Sequence, residues 1–303
     1  MASNSLVSVF LPVYNAERFL YGTLEAIRAQ THLNVEVVIS DDASTDRTVE
    51  IIESYDREHP DLIRLYRQEK NLGVAANCNF VLDRCLGEYI VCIGGDDILL
   101  PTKLEEQIDA MEAHNAIMTF HDYDYFDYDQ DTVIKRNKRN KSQHISAKNV
   151  DNFPLNTIST MIRRPLTEGL RFSEKYPLSD SAFFLEYMFK NKGQAYYMDK
   201  VLMHYGRHGN NLNPVSANEP LGNDAERFLS KVDDYIGSRL SLLLHYPEQK
   251  ATLLESVSNG LRYSRHAHGD KKKYRGVLVA SFMVRPNLKS LVLYLVSFVG
   301  IIK

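Results

Sequence analysis

The sequence lacks the features that mark a nucleic-acid-binding protein, a zinc protein or a disulfide-bonded one. Its 36 lysines and arginines are outnumbered by 39 acidic residues, and the net charge of −3 leaves no positive excess for holding DNA or RNA. It has only three cysteines, with no CxxC pair among them and no histidine near them at zinc-ligand spacing. We therefore expect buried thiols in a reducing compartment at Cys78, Cys85 and Cys92.

The sequence also shows no targeting segment and no internal repeat. The N-terminus shows no basic segment followed by an apolar run and a cleavage site, and no internal repeat or low-complexity segment occurs. The sequence thus predicts a cytoplasmic protein. Hydrophobic residues make up 44% of the 303 residues, which suffices for one large domain or for a domain with an appendage.

What the sequence does contain is an alternation of β-forming and helical segments over its first third. Short apolar runs at 6–11, 35–39, 62–66 and 89–93 are rich in β-formers, and helical stretches separate them. Such strands predict an α/β fold, a Rossmann-like, mostly parallel sheet flanked by helices. Ligands of these sheets bind beyond the carboxyl ends of the strands. The polar residues expected at that edge are Pro12, Tyr14, Asn15, Asp41, Asp42, Asp96 and Asp97.

The fourth of these strands is followed by Gly94-Gly95-Asp96-Asp97. Two adjacent carboxylates repel one another, which costs stability unless a cation or hydrogen-bond donors compensate it. Mg²⁺ and Mn²⁺ prefer oxygen ligands, typically carboxylates together with substrate phosphates, and glycine lets a ligand approach the backbone. The motif is compatible with a divalent-cation site and, taken alone, equally with a solvated turn.

A second acidic motif, DDASTD at residues 41–46, follows the second strand. Acids at this position of dinucleotide folds accept hydrogen bonds from ribose, which suits Asp41 and Asp42 as ligand contacts. We interpret Ser44, Thr45 and Asp46 as caps of the following helix, whose first backbone N–H groups need acceptors.

Four motifs in this order resemble those of the family 2 glycosyltransferases: VSVFLPVYNAERFL, VVISDDASTD, NLGVAANCN and GEYIVCIGGDD, the last followed by a proline and a helix. The resemblance covers roughly the first two-thirds of the chain. It implies the A-type glycosyltransferase fold, a nucleotide-diphosphate sugar (with UDP expected) as donor, and a Mn²⁺ or Mg²⁺ cofactor. It also implies transfer with inversion to an acceptor hydroxyl.

The resemblance assigns roles at the first two strand ends. Pro12, Tyr14 and Asn15 lie where the family's first loop packs against the nucleoside. Asp42 matches the acid that contacts the base, typically uracil. Asn77 stands near a place where the family often has an arginine, so we expect no positive charge from that helix.

Further roles concern the diphosphate. Asp97 is the expected direct metal ligand, and Asp96 the expected contact to ribose or donor sugar. Residues 204–211 resemble a family segment with a histidine and an asparagine. Arg207 and His208 there would steady the diphosphate or gate the site, or else would belong to a surface loop.

Inverting transfer needs a general base, because the acceptor hydroxyl must lose its proton as it attacks the anomeric carbon. Residues 176–184 resemble the family's base motif, an acid that opens an aromatic-rich helix. Asp180 is then the base. The alternative is that Asp180 only caps that helix.

The composition shifts late in the chain. We expect a nucleotide-sugar-binding catalytic domain over residues 1–215 and a helical region over 216–303. The apolar stretch 288–302 is shorter than the roughly 20 residues that span a bilayer. It follows basic residues, so it lies on an anionic inner leaflet or packs on the catalytic domain or on a partner subunit of a homo-oligomer. The basic stretch 135–148 is expected to be a loop, either solvated or closing over the donor.

The resemblance suggests surface-polysaccharide synthesis, such as an O-antigen or capsule, with a glycan or lipid-linked saccharide as acceptor. Two other classes remain open. A sugar nucleotidyltransferase would need a glycine-rich, basic loop after the first strand, where this chain has PVYNAE. A non-catalytic glycan-binding protein would keep the fold without a base.

Overall fold

The computed structural model describes residues 4–135, 141–150, 153, 155–208 and 225–263. These residues fall into two compact units. The first comprises the described part of Met1–Phe172 and Lys190–Asn211, and the second that of Ser173–Phe189 and Leu212–Lys303. The domain boundary predicted at residue 215 lies outside the described residues.

The first unit contains the strands. Their bounds are β1 (Val7–Val13), β2 (Val35–Asp41), β3 (Ile63–Arg67), β4 (Tyr89–Cys92), β5 (Ile98–Leu99), β6 (Met118–Asp127), β7 (Thr132–Ile134), β8 (Gln143–Ile145), β9 (Thr160–Arg163) and β10 (Ala195–Arg207). Its helices are α1 (Leu20–Arg28), α2 (Thr48–Glu58), α3 (Val74–Leu82) and α4 (Lys103–Ala113). Helix α5 (Ser181–Asn191) belongs mainly to the second unit, together with α6 (Ala225–His245) and α7 (Lys250–Tyr263).

The strands form one mixed sheet in the order β3-β2-β1-β4-β9-β6-β10-β5, with β7 beside β6 and β8 beside β10. Strands β3, β2, β1 and β4 are mutually parallel, and β6 is parallel to β10. The inserted strand β9 is antiparallel to β4 and to β6. The prediction of a Rossmann-like, mostly parallel sheet flanked by helices is confirmed.

One face of the parallel strands packs against α1, α2 and α4. Alternate β1 residues from Val7 to Val13 point into this layer, because successive side chains of a strand face opposite sides of the sheet. Leu24, Ile52 and Leu104 come from the three helices to meet them, and all are fully buried. The core therefore lies under the β-forming runs of the sequence.

Part of the stretch predicted as a basic loop, 135–148, is a strand. Gln143–Ile145 pairs antiparallel with Ala195–Tyr197 of β10, and Ile145 is fully buried. Ile145 is an apolar residue in a polar stretch, and it is buried because its backbone pairs with β10 and extends the sheet. Residues 136–140 lie outside the described part.

No helix among the described residues is long and apolar enough to cross a membrane. The apolar stretch 288–302 falls outside these residues. Within the helical region predicted over 216–303, the described residues form α6 and α7.

A buried carboxylate joins β1 and β2 near their amino ends, away from the carboxyl ends of the parallel strands. Glu36 Oε1 accepts hydrogen bonds from Ser8 Oγ (2.5 Å) and from the backbone N–H groups of Leu86 (2.6 Å) and Gly87 (3.2 Å), and Oε2 accepts from Arg64 (2.8 Å). Burial opposes the charge, but these donors outweigh it, so the pKa of Glu36 is lowered. The ionised side chain therefore stabilises the folded state.

We expect Glu36→Gln to lower the free energy of unfolding by about 2–3 kcal/mol at pH 7, because it removes charge-assisted bonds and leaves Arg64 unpaired. Because the folded-state pKa is lowered, this stability is present above the ordinary pKa of 4.5 and is lost as the pH falls below it. The difference between the two proteins should shrink in urea titrations at decreasing pH. Glu53→Gln, which removes an exposed pair with Arg67, is the control and should cost at most about 0.5 kcal/mol.

Candidate active site

The loops after β1 and β2 are joined by side-chain hydrogen bonds. Asn15 donates its backbone N–H to Ser44 Oγ and accepts the Thr45 N–H on its Oδ1, both at 2.9 Å. Its φ of 50° lies in the left-handed region, which asparagine tolerates better than most residues. Ser44 and Thr45 were predicted as helix caps, but they bond to Asn15; only Asp46 bonds to the first turn of α2, through the Thr48 N–H at 3.0 Å.

Asp42 connects the β2 loop to the loop before α3. Its Oδ1 accepts the Leu72 N–H at 2.7 Å and its Oδ2 accepts the Gly73 N–H at 3.0 Å. The side chain is 3% exposed. Both oxygens of the acid expected to contact the base are thus bonded to backbone, and the base contact stays a prediction.

Two buried acceptors near the end of β2 have no hydrogen-bond partner among the described residues: Asp41 Oδ1 and Asn77 Oδ1. The other Asp41 oxygen accepts the Ser44 N–H at 3.0 Å, and the Asn77 amide donates to the Ser40 carbonyl at 3.1 Å. An unsatisfied buried acceptor costs about 1–3 kcal/mol. An N–H or O–H donor of a ligand or of water therefore fits here, whereas an arginine at position 77 would offer donors instead.

Asp96 and His208 meet at the carboxyl end of the sheet. Nε2 of His208 lies 3.0 Å from Oδ2 of Asp96. The imidazole stacks on Phe19, with 4.2 Å between ring centroids, and Phe19 in turn contacts Tyr128. The Tyr128 hydroxyl donates to the Asp96 carbonyl at 3.0 Å. The Asp96 side chain remains 27% exposed, so a carboxylate and an imidazole are held together at the surface of the first unit.

Asp97 lies below this surface. It is 1% exposed; Oδ2 accepts the Gly94 N–H at 2.9 Å and Oδ1 accepts the Gly206 N–H at 3.2 Å. Burial, followed by repulsion from Asp96, raises the pKa of Asp97 well above its ordinary value. In this structure the Asp97 oxygens join the β4 loop to β10, and Asp96 is the more exposed carboxylate of the pair. The role of Asp97 as the direct metal ligand stays a prediction.

A buried polar network lies near Asp97. Lys103 is fully buried, and its Nζ donates to Gln107 Oε1 and to His121 Nε2, both at 2.8 Å. Burial lowers the pKa of Lys103 to about 7, against the attraction of Asp97, and lowers that of His121 well below its ordinary value. Lys103 and Gln107 are four residues apart on the buried face of α4, a polar pair within an apolar stripe.

Gly206 marks a close approach between two backbone segments. A Cβ at this position would overlap the carbonyl oxygen of Asp96. Residue 206 must therefore be glycine for β10 to pass the acidic loop at this distance, and for its N–H to reach Asp97.

The structure brings Asp96, Asp97 and His208 into one cluster. Asn15, Asp41 and Asp42 occupy the neighbouring strand ends, where Pro12 is half-buried in β1 and Tyr14 is 51% exposed. Asp180 belongs to the second unit, at the start of α5, where its Oδ1 accepts the Ser181 N–H at 2.8 Å. The sequence analysis did not single out Phe19, Tyr128 or Lys103 as site residues. The spacing of Lys103 and Gln107 on α4 is a signal that could have indicated Lys103.

The family model described as glycosyl transferase family 2 matches residues 8–170, more than half of the chain. The protein belongs to this family. As a family 2 glycosyltransferase it is similar to a candidate teichuronic acid biosynthesis glycosyltransferase, TuaG of Bacillus subtilis (strain 168), with 28% identity over 200 residues, 66% of this chain and 78% of TuaG. It is also similar to the candidate glycosyltransferase EpsE of the same organism, with 39% identity over 114 residues, 38% of this chain. The match spans 41% of EpsE.

Among solved structures, this family 2 glycosyltransferase resembles residues 1–349 of S. aureus TarS in complex with UDP, with a TM-score of 0.65 and 18% identity. The superposition covers 92% of this chain and 81% of the TarS chain. TarS has also been solved with UDP-GlcNAc, with a TM-score of 0.57 and 16% identity. These likenesses show that the fold is shared.

Proposed function

We propose that this family 2 glycosyltransferase moves a sugar from a UDP-sugar, with inversion and with a bound divalent cation, to a hydroxyl of a glycan or lipid-linked saccharide. Bacterial surface-polysaccharide synthesis is the proposed setting, in keeping with the similarity to TuaG, which is named for teichuronic acid biosynthesis. The observation that carries the proposal is the pair Asp96–His208 at the ligand-binding edge of the sheet. Family membership supports glycosyl transfer as the chemistry.

The proposed donor is supported from two directions. The chain shares its fold with a protein that binds UDP and UDP-GlcNAc. In addition, the unsatisfied oxygens of Asp41 and Asn77 offer acceptors for the N–H or O–H groups of a base or ribose. We propose that the nucleoside lies at this end of β2, beside the loop carrying Pro12, Tyr14 and Asn15.

The cofactor we propose is Mn²⁺ or Mg²⁺, in keeping with the general use of divalent metals in this family. Asp96 and His208 would hold it. No group of three or more His, Cys, Asp or Glu side chains in the described part of the chain could hold a metal. Two protein ligands suit a cation that draws its remaining ligands from substrate phosphates and water. When bound, the cation would offset the charge of the leaving UDP.

Asp180 is the proposed general base, and the family is generally inverting. Its carboxylate would take the proton of the acceptor hydroxyl as the oxygen attacks the anomeric carbon. The bond to UDP breaks on the opposite side of that carbon as the new glycosidic bond forms, which inverts its configuration. UDP leaves with the bonding electron pair.

The test is UDP release from a panel of nucleotide sugars: UDP-glucose, UDP-galactose, UDP-GlcNAc, UDP-GalNAc, UDP-glucuronic acid and GDP-mannose. We expect one UDP-sugar to be turned over in Mn²⁺, and EDTA to abolish the turnover. Pyrophosphate release from UTP and a sugar phosphate would instead identify a nucleotidyltransferase. Binding of a glycan without turnover of any donor would overturn the proposal.

A further inference from the structure

Arg239 is a fully buried cation of the second unit, and serine hydroxyls accept its hydrogen bonds. Its Nε donates to Ser256, its Nη1 to Ser179 and its Nη2 to Ser181, each at 3.0 Å from the hydroxyl oxygen. The guanidinium carbon lies 3.6 Å from the centroid of the Tyr235 ring. Burying a guanidinium is unfavourable unless its N–H groups have acceptors, so the positions of these serine hydroxyls matter for the stability of the site.

Two of these serines flank Asp180 in the chain. Ser179 and Ser181 precede and follow it, and Asp180 Oδ1 accepts the Ser181 N–H. A guanidinium is a rigid, planar fork, so two N–H groups bonded to two residues fix direction as well as distance. Arg239 therefore restrains the chain on both sides of the proposed base.

Helix α6 restrains the same segment at other points. Asp234 Oδ2 accepts the Leu178 N–H at 2.9 Å, and Ser238 Oγ lies 2.8 Å from Ser179 Oγ. Backbone turns continue the restraint, since the Ser179 carbonyl accepts the Ala182 N–H at 3.2 Å. The segment that leads into α5 is thus held mainly by one helix of the C-terminal region.

We propose that Arg239 is a positioning residue for glycosyl transfer: by holding Ser179 and Ser181 it orients Asp180 toward the acceptor proton. The proposal rests on the proposed function, because it takes Asp180 as the base. A base works only within hydrogen-bond reach of its proton, and a displacement of about 1 Å can cost about 100-fold in rate. The competing explanation is that Arg239 only joins α6 to α7 through Ser256.

Ser179 and Ser256 offer a matched pair of variants. Both are buried, both accept one Arg239 bond at 3.0 Å, and each lies within 3.0 Å of one further hydroxyl, on Ser238 and on Tyr235 respectively. With the UDP-sugar selected by the panel, we expect Ser179→Ala to lower kcat about 10-fold with an unchanged donor KM. Ser256→Ala should keep kcat within about twofold of the native value. We expect it to lower the melting temperature about as much as Ser179→Ala does, because each variant removes one buried hydrogen bond to Arg239. Equal kcat values for the two variants would overturn the proposal.

A double-variant cycle separates positioning from stability. If Ser179 acts through Asp180, adding Ser179→Ala to Asp180→Asn should leave the residual single-turnover rate unchanged. A further 10-fold loss in the double variant would refute the positioning role. Full turnover of Asp180→Asn itself would instead refute the proposed base, so the two failures are distinguishable.

Discussion

Asp96→Ala is expected to lower kcat/KM for the UDP-sugar about 1,000-fold, while the free energy of unfolding without ligand changes little. Asp96 provides the exposed carboxylate of the pair with His208. Under the proposed function, its loss would remove a cation ligand and with it the charge compensation of the leaving UDP. It also relieves the repulsion on Asp97. Steady-state UDP release at low donor concentration measures the first effect, and thermal unfolding of the free protein measures the second.

Asp97→Ala is the matched comparison, and we expect its main effect to be on stability. Truncation leaves the part-buried N–H of Gly94 and the buried N–H of Gly206 without the acceptors that Asp97 provides, so we expect a loss of about 3 kcal/mol in unfolding free energy. The opposite result would support the metal assignment made from the sequence. In that case Asp97→Ala would fold as stably as the native chain and lose Mn²⁺-dependent UDP binding, whereas Asp96→Ala would retain that binding.

Asp180→Asn is expected to lower kcat by about 1,000-fold with an unchanged affinity for the UDP-sugar. The amide keeps the size of the side chain and an oxygen that can accept the Ser181 N–H, but it cannot take a proton at neutral pH. Steady-state UDP release and donor titration measure the two quantities separately. Glu248→Gln, an exposed acid of the same unit, should retain full turnover.

Azide tests the chemical reason for that loss. Because azide attacks without losing a proton, it should restore UDP release in Asp180→Asn and give a glycosyl azide of inverted configuration. It should not restore Asp96→Ala, in which the defect concerns the leaving group. Unchanged turnover of Asp180→Asn without azide would reduce Asp180 to a helix cap.

Much of the first unit could be predicted from the sequence, because its parallel strands are nearly continuous apolar runs between helices. The apolar run at 35–39 is found as β2, Val35–Asp41, and the helical stretch that follows it is found as α2, Thr48–Glu58. Strand β8 was not predicted, because three residues carry no periodic signal and pair with β10 some fifty positions later. Pairing at that distance is settled by tertiary packing.

The candidate site was predictable only in part, for the same reason. The spacing of Gly94-Gly95-Asp96-Asp97 marks the acids but cannot tell which one turns inward. That choice depends on the Gly206 N–H, 109 positions away, and on His208, 112 positions away. Similarly, whether Ser44 caps a helix or bonds to Asn15 depends on a loop 29 residues earlier.

The bonds of Asn15 to the second loop and of Asp42 to the third have a consequence for engineering. The conformation of each loop depends on hydrogen bonds to a side chain or backbone of a neighbouring loop, so the loops do not keep their conformations independently. If these loops bind the donor as proposed, grafting a single loop from a homologue to change donor specificity would break the hydrogen bonds at its borders. The three loops need to be exchanged together, so that Asn15 and Asp42 stay with the backbone N–H groups that they bind.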